Sequence, residues 1–184
     1  METIRPYRPE DRDRIRHICL VNAGNPRTKK QQRFILTTYC DYYLEYEPDN
    51  CFVAANDADE AVGYIYCAEN HALFAKRFEG VFLPRAADLG EAKQKAARDS
   101  YAAHRRFAAE FPAHMHIDIL ADYQRKGLGS RLVDTLAEHL RAKGIPGLML
   151  TVGAGNIKGI NFYKKYGFEE LERKAGDVAM DLRL

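Results

Sequence analysis

Tyr123-Gln124-Arg125-Lys126-Gly127-Leu128-Gly129-Ser130-Arg131-Leu132-Val133 places a basic, glycine-bearing turn between two apolar elements. Residues 117–120 (Ile-Asp-Ile-Leu) read as a strand before it. After it, Leu132, Val133, Leu136 and Leu140 recur at the i, i+1, i+4, i+8 spacing of a helix with one buried face. A helix starting at such a turn offers N–H groups without intrahelical partners at the positive end of its dipole, which suits a phosphate. Gly127 and Gly129 remove the Cβ atoms that would hold an anion away from the backbone, and Arg125 and Lys126 add charge. The stretch is expected to cradle a diphosphate.

Two common cradles do not fit. A Walker loop needs Lys-Ser or Lys-Thr after its last glycine, and none follows here. A dinucleotide fold needs a third glycine where Leu132 stands and an acidic residue on the next strand, and residues 148–152 (Leu-Met-Leu-Thr-Val) contain none. What fits is Q/R-x-x-G-x-G/A, read as Gln124-Arg125-Lys126-Gly127-Leu128-Gly129. A second motif follows a helix, its stop at Lys143-Gly144 and Pro146, and one strand: Asn156-Ile-Lys-Gly159-Ile-Asn-Phe162-Tyr163-Lys-Lys-Tyr166-Gly167-Phe168. The pair resembles the coenzyme A motif and the N-x-x-A-x-x-F-Y-x-x-x-G-F segment of the GNAT N-acetyltransferases. The resemblance covers residues from about 115 onward. It implies an α/β (α+β) GNAT fold, with a mixed, mostly antiparallel sheet splayed between strands 4 and 5 and flanked by helices. Gly159 stands where the family usually has Ala. It is expected to cost about 1 kcal/mol of helix propensity and to leave binding alone.

The 184 residues, 46% of them hydrophobic, read as a single domain over 1–184. No apolar run approaches the ~20 residues of a membrane span, and Arg5, Arg8, Glu10, Asp11 and Arg12 rule out a signal-peptide reading of the N-terminus. Cys19, Cys40, Cys51 and Cys67 form no C-x-x-C pair and sit in apolar segments, as reduced core cysteines of a cytoplasmic protein do. With 28 basic and 26 acidic residues, the net charge of +2 leaves no basic footprint for nucleic acid.

In the first half, residues 3–8 read as a strand, and acidic residues in 9–13 open a helix through Ile15, Ile18 and Cys19. A second helix is expected over 28–46, then a hairpin of 51–55 and 61–67 across Asn56-Asp-Ala-Asp-Glu60. Residues 68–112 form a helical insert between strands 3 and 4, its clearer pattern being Leu89, Ala92, Ala96, Tyr101, His104, Phe107, Ala108 and Phe111 in one helix. Its apolar surface has to pack on the domain, on an acceptor cleft or on a second copy, so a monomer or a homodimer is expected. An insert here, with the aromatic-rich second helix and His116-Ile-Asp118, resembles the acetyltransferase-like domain of O-GlcNAcase and its free-standing bacterial relatives.

The family resemblance implies acetyl-CoA as cosubstrate and acetyl transfer to a primary amine by direct attack in a ternary complex. It implies that backbone groups of Ile117, Asp118 and Ile119 pair with pantetheine, and that Gln124, Arg125, Lys126, Gly127, Leu128, Gly129 and Ser130 take the pyrophosphate. Asn156 would meet the pantetheine arm, with Phe162 and Tyr163 near the coenzyme. Tyr163 matches the tyrosine facing the coenzyme sulfur, where a phenol of pKa near ~10 serves as general acid; otherwise it is a core aromatic. His114, His116 and Asp118 alternate on the fourth strand and share one face if the strand is regular, although the family's bulge there can reverse facing. Asp118 is the first candidate base, or an anchor for the amine. His116 is the second, and an ordered water chain is the third. A metal site is not expected, because no third histidine completes H-x-H-x-D.

The acceptor stays open at this point. Tyr39, Asp41, Tyr42, Tyr43, Glu45, Tyr46, Glu47 and Asp49 either line a site for a cationic amine or form a core stripe with a solvated acidic face. Two other functions compete with small-molecule N-acetylation: a module that binds coenzyme A without turnover, and a protein-lysine acetyltransferase.

Overall fold

Strands from both ends of the chain enter one sheet in the computed structural model, which describes residues 2–184. The strands are β1 (Thr3–Pro6), β2 (Cys51–Ala55), β3 (Ala61–Ala68), β4 (Ala113–Ile119), β5 (Gly147–Gly153), β6 (Glu169–Arg173) and β7 (Asp177–Arg183). Their order is β1-β2-β3-β4-β5-β7-β6, antiparallel throughout except for the β4–β5 pair. This is the GNAT arrangement.

Alternation along the strands gives the sheet two unlike faces. One carries Tyr64 and Tyr66 of β3 with His114, His116 and Asp118 of β4. It is covered by α1 (Arg12–Asn22), α2 (Lys29–Tyr39), α3 (Asp41–Tyr46) and the helices between β3 and β4. The other carries Ile65, Cys67 and Met115 against α7 (Leu128–Ala142) and α8 (Ile157–Tyr166), with Leu132, Val133, Leu136 and Leu140 of α7 wholly buried. Both faces are closed by apolar burial, and the active elements leave from the sheet's middle.

The helix expected over 28–46 is two. Thr28 caps α2 in a capping box with Gln31. The run breaks at Cys40, whose φ of −130° and ψ of −62° are not helical. The carbonyls of Thr38 and Tyr39, freed there from the helical ladder, accept the hydroxyls of Tyr101 and Tyr66. Tertiary tyrosines therefore replace the amides a continuous helix would have used.

The single helix expected over 89–111 is also broken. Between β3 and β4 run α4 (His71–Arg77), a π-helical turn (Phe78–Phe82), a 3-10 segment (Leu83–Leu89), α5 (Glu91–Asp99) and α6 (Ala102–Phe107). Gly90, at φ +91°, and the Ser100–Tyr101 corner interrupt it. Each break shifts the period, so Ala92 and Ala96 are exposed while Ala97, Tyr101, His104 and Phe111 are buried. Tyr101 packs on Phe74, Phe78 and His114 with ring centroids 4.6, 5.3 and 5.4 Å away. The insert thus docks on the sheet of its own chain.

Candidate active site

β4 and β5 are joined only at Ala113↔Leu148 and His114↔Met149, then diverge. The β3–β4 register, by contrast, runs without a shift from Gly63↔Ile119 to Ala68↔His114. No bulge on that side reverses facing, and Asp118 shares its face with His114 and His116. From Met115 onward, the edge of β4 that faces β5 has no strand partner among the described residues. Gln124 ties the following turn to this edge by donating its Nε2–H to Ile119 O at 2.8 Å.

The turn then opens α7. The first helical N–H with a backbone acceptor is that of Arg131, to Gly127 O at 3.2 Å, so the amides of Leu128, Gly129 and Ser130 project from the open end. Leu128 buries its side chain and offers only its backbone. Arg125 is exposed and adopts φ +61°, while Lys126 lies 4.9 Å from the Tyr123 ring centroid and 3.6 Å from Glu2 Oε1. Three unpaired amides beside two basic side chains fit a diphosphate.

The two glycines of the turn do different jobs. At Gly127 a Cβ would meet nothing within 4 Å, and glycine is required by its φ of +77°. At Gly129 a Cβ would stand 3.0 Å from Phe162 Cζ and 3.2 Å from Cε2. Gly129 therefore lets α7 and α8 approach through the Phe162 ring, a packing role beside the anion access expected of it. Gly159 likewise has more than a propensity cost. A Cβ there would be 2.7 Å from Asn156 Nδ2, and its N–H donates to Asn156 Oδ1 at 2.9 Å. Asn156 is the cap of α8, with Oδ1 committed and the amide nitrogen left for a ligand.

Across the opening stand two ionisable groups. Tyr64, directly opposite Asp118 in the register, donates its hydroxyl to Asp118 Oδ2 at 2.5 Å. Loss of hydration raises Asp118 to about 7, against the lowering effect of the Tyr64 bond. The partly buried Tyr163 has no hydrogen-bond partner for its hydroxyl among the described residues. Desolvation and then the charge of Asp118 push its pKa upward, so the phenol keeps its proton at neutral pH. His116 bonds Tyr43 through Nε2 at 3.0 Å and is held down to about 4 by burial. That depression makes it a weaker base than Asp118 at neutral pH.

The family model described as Acetyltransferase (GNAT) family matches residues 20–168. The chain belongs to that family. The ribosomal protein bS18-alanine N-acetyltransferase of Escherichia coli (strain K12) is 40% identical over 55 residues, or 30% of this chain and 37% of that protein. The chain thus aligns with little more than a third of that relative's length. The crystal structure of SsHAT superposes with a TM-score of 0.84 at 25% identity, covering 99% of this chain and 98% of the other. A PaiA N-acetyltransferase from Thermoplasma acidophilum, in complex with coenzyme A, shares the fold with a TM-score of 0.64 at 16% identity, covering 100% and 99%.

In this GNAT chain the structure brings Ile117, Asp118 and Ile119 of β4 together with the 124–130 turn, Phe162 and Tyr163. The links are Gln124 on Ile119, Phe162 against Gly129 and the charge of Asp118 on Tyr163, while Asn156 caps the helix that carries Phe162 and Tyr163. The structure does not bring the acidic face of the second helix there. Tyr42 and Tyr43 are core, Asp41 lies 3.4 Å from Arg16, and Glu45 is paired with Arg12 and Arg85 at 2.8 and 2.9 Å. Glu47 accepts from Tyr42 and Asn50. Of that group, Tyr39 faces β4, its ring 5.9 Å from His116 and its hydroxyl 2.8 Å from Ser100 Oγ. Tyr64 was missed, although the hairpin pattern put it on the strand beside Asp118. Only the register shows that the two are opposite each other.

Proposed function

We propose that residues 1–184 act as one catalytic domain that transfers an acetyl group from acetyl-CoA to a primary amine by direct attack in a ternary complex. The observation that carries this is Asp118 and Tyr163 facing one opening whose mouth is an amide cradle for a diphosphate. Acetyl-CoA supplies an activated thioester. The 124–130 turn holds its diphosphate, and the free edge of β4 at Ile117–Ile119 pairs with its extended arm, where a backbone N–H polarises the thioester carbonyl. Asp118, titrating near neutrality, accepts the proton that the attacking nitrogen loses as the C–N bond forms. Tyr163 gives its proton to sulfur as the C–S bond breaks.

The acceptor class is an exposed amine reached from the Tyr39–Ser100 side, a small molecule or the amine of a protein chain. The name of the E. coli relative, which acts on an alanine of a ribosomal protein, makes a peptide α-amine the first protein acceptor to try. The helical insert between β3 and β4 supports grouping the chain with the acetyltransferase-like domain of O-GlcNAcase and its bacterial relatives. Four buried free cysteines support work in the reducing cytoplasm.

The test is thiol release from acetyl-CoA against polyamines, amino sugars, aminoglycosides, amino acids, lysine peptides and N-terminal alanine peptides. Turnover with at least one amine, lost in Asp118→Asn, is the expected result. Saturable acetyl-CoA binding by calorimetry with no turnover on any amine would leave a coenzyme-binding module instead.

A further inference from the structure

Four histidines crowd the contact between β4 and the helices that precede it. His71 begins α4, His104 lies in α6, and His114 and His116 lie on β4. The first three are buried, with ring centroids 4.6 Å (His104–His114), 5.5 Å (His71–His114) and 6.2 Å (His71–His104) apart. Tyr43 of α3 stands 3.0 Å from Nε2 of both His114 and His116. Both ring nitrogens of His71, both of His104 and Nδ1 of His114 have no hydrogen-bond partner among the described residues. Among the described residues no group of three or more His, Cys, Asp or Glu side chains is placed to hold a metal ion.

We propose that this cluster is an acid-released latch: neutral imidazoles hold the segment between β3 and β4 on the sheet, and proton uptake lets it go. The groups around it favour release. Arg105 of α6 bears on His71, and the histidines bear on one another. Arg98 of α5 and Glu79 of the π-helical turn share with His71, Phe74 and Tyr101 the wall of a cavity of about 10 Å³, where Glu79 lies 3.8 Å from Arg105. Among the described residues no carboxylate accepts from any of the three buried rings.

The sign follows from the depressed values. Burial holds His71 down to about 4 and lowers His104 and His114 as well, whereas a solvated imidazole titrates near ~6.5. The closed form is fully favoured above that value and loses ground as pH falls from it towards about 4. Three protons taken up on opening raise the opening constant by up to about a thousandfold per pH unit in that window. Opening also parts Ser100 from Tyr39, widening the acceptor side of the site proposed above. The latch itself stands on the histidines and does not depend on acetyl transfer.

Native-state hydrogen exchange between pH 7 and 5, corrected for intrinsic exchange rates, tests it. In the wild-type chain, opening of α4 and α6 should rise with about the third power of proton concentration between pH 6 and 5, while amides of α7, β5 and β7 stay protected. His104→Phe, which fills the site with a ring that cannot be protonated, should lower that order by one. A proton order of one or less in the wild-type chain overturns the latch. So does acid release of every element together, which is global unfolding.

Discussion

Replacing Tyr64 by Phe removes one hydroxyl and keeps a ring stacked 4.5 Å from Tyr66. The lost bond is the 2.5 Å donation to Asp118 Oδ2, which opposes the burial that raises this carboxyl to about 7. A hydrogen bond to a charged group is worth about 1.5–3 kcal/mol net. At about 1.4 kcal/mol per pKa unit, its loss moves the titration of Asp118 alkaline by about one to two units. The base works ionised, so activity rises with pH through this titration, and the acid limb of kcat/KM moves alkaline by the same amount. At pH 7 the ionised fraction, and with it kcat/KM, falls about 5- to 50-fold, with most of the loss recovered about two to three pH units higher. The assay is thiol release on the best amine at saturating acetyl-CoA, with wild type and variant profiled side by side so that the amine's own titration affects both alike. Overlaid acid limbs would refute Asp118 as the titrating base, whatever the absolute rates.

Tyr163→Phe should lower kcat by about 10- to 100-fold with acetyl-CoA affinity nearly unchanged, because only a proton donor is lost; equal rates would make the residue packing alone. Gly127→Asp should abolish saturable acetyl-CoA binding in calorimetry, through its φ of +77° and an added charge at the open amides. Asn156→Ala removes the cap of α8 and should lower stability by about 1 kcal/mol in urea titrations. Gly147→Ala puts a Cβ 2.5 Å from Phe111 Cδ1 and 3.2 Å from Glu110 O, so a loss of about 1–3 kcal/mol without any change in KM is expected.

The second half of the fold was legible because its signals are local. A strand, a glycine turn and an apolar stripe at helical spacing occupy adjacent residues between 117 and 140, and nothing distant interrupts them. The breaks at Cys40 and Ser100 were not legible. Tyr66 reaches the carbonyl of Tyr39 from another strand, and Tyr101 reaches that of Thr38 from beyond β3, and neither contact leaves a mark in the local pattern. The packing role of Gly129 was hidden for a similar reason: its neighbour is Phe162, on a different helix. The tyrosine-and-acid stripe of 39–49 was ambiguous between core and lining. Arg12, Arg16 and Arg85, which neutralise its carboxylates, come from outside the segment. Asp118 was visible as a charge on a central strand, but its titration near neutrality needed the enclosure that only the folded chain provides.

The two-residue join between β4 and β5 has a consequence for the lifetime of the chain. Four strands stand on one side of it and three on the other, and past His114 the backbone of β4 presents an unfinished edge inside the sheet. Such an edge is a template for any extended peptide, including another copy caught mid-folding. A substrate that lies along it occupies the template and bridges the two halves at once. Coenzyme present at a hundred times its dissociation constant would add about 2.7 kcal/mol to folding stability. Turnover of this protein by proteases, and its tendency to aggregate, would then follow the supply of the thioester proposed as its substrate.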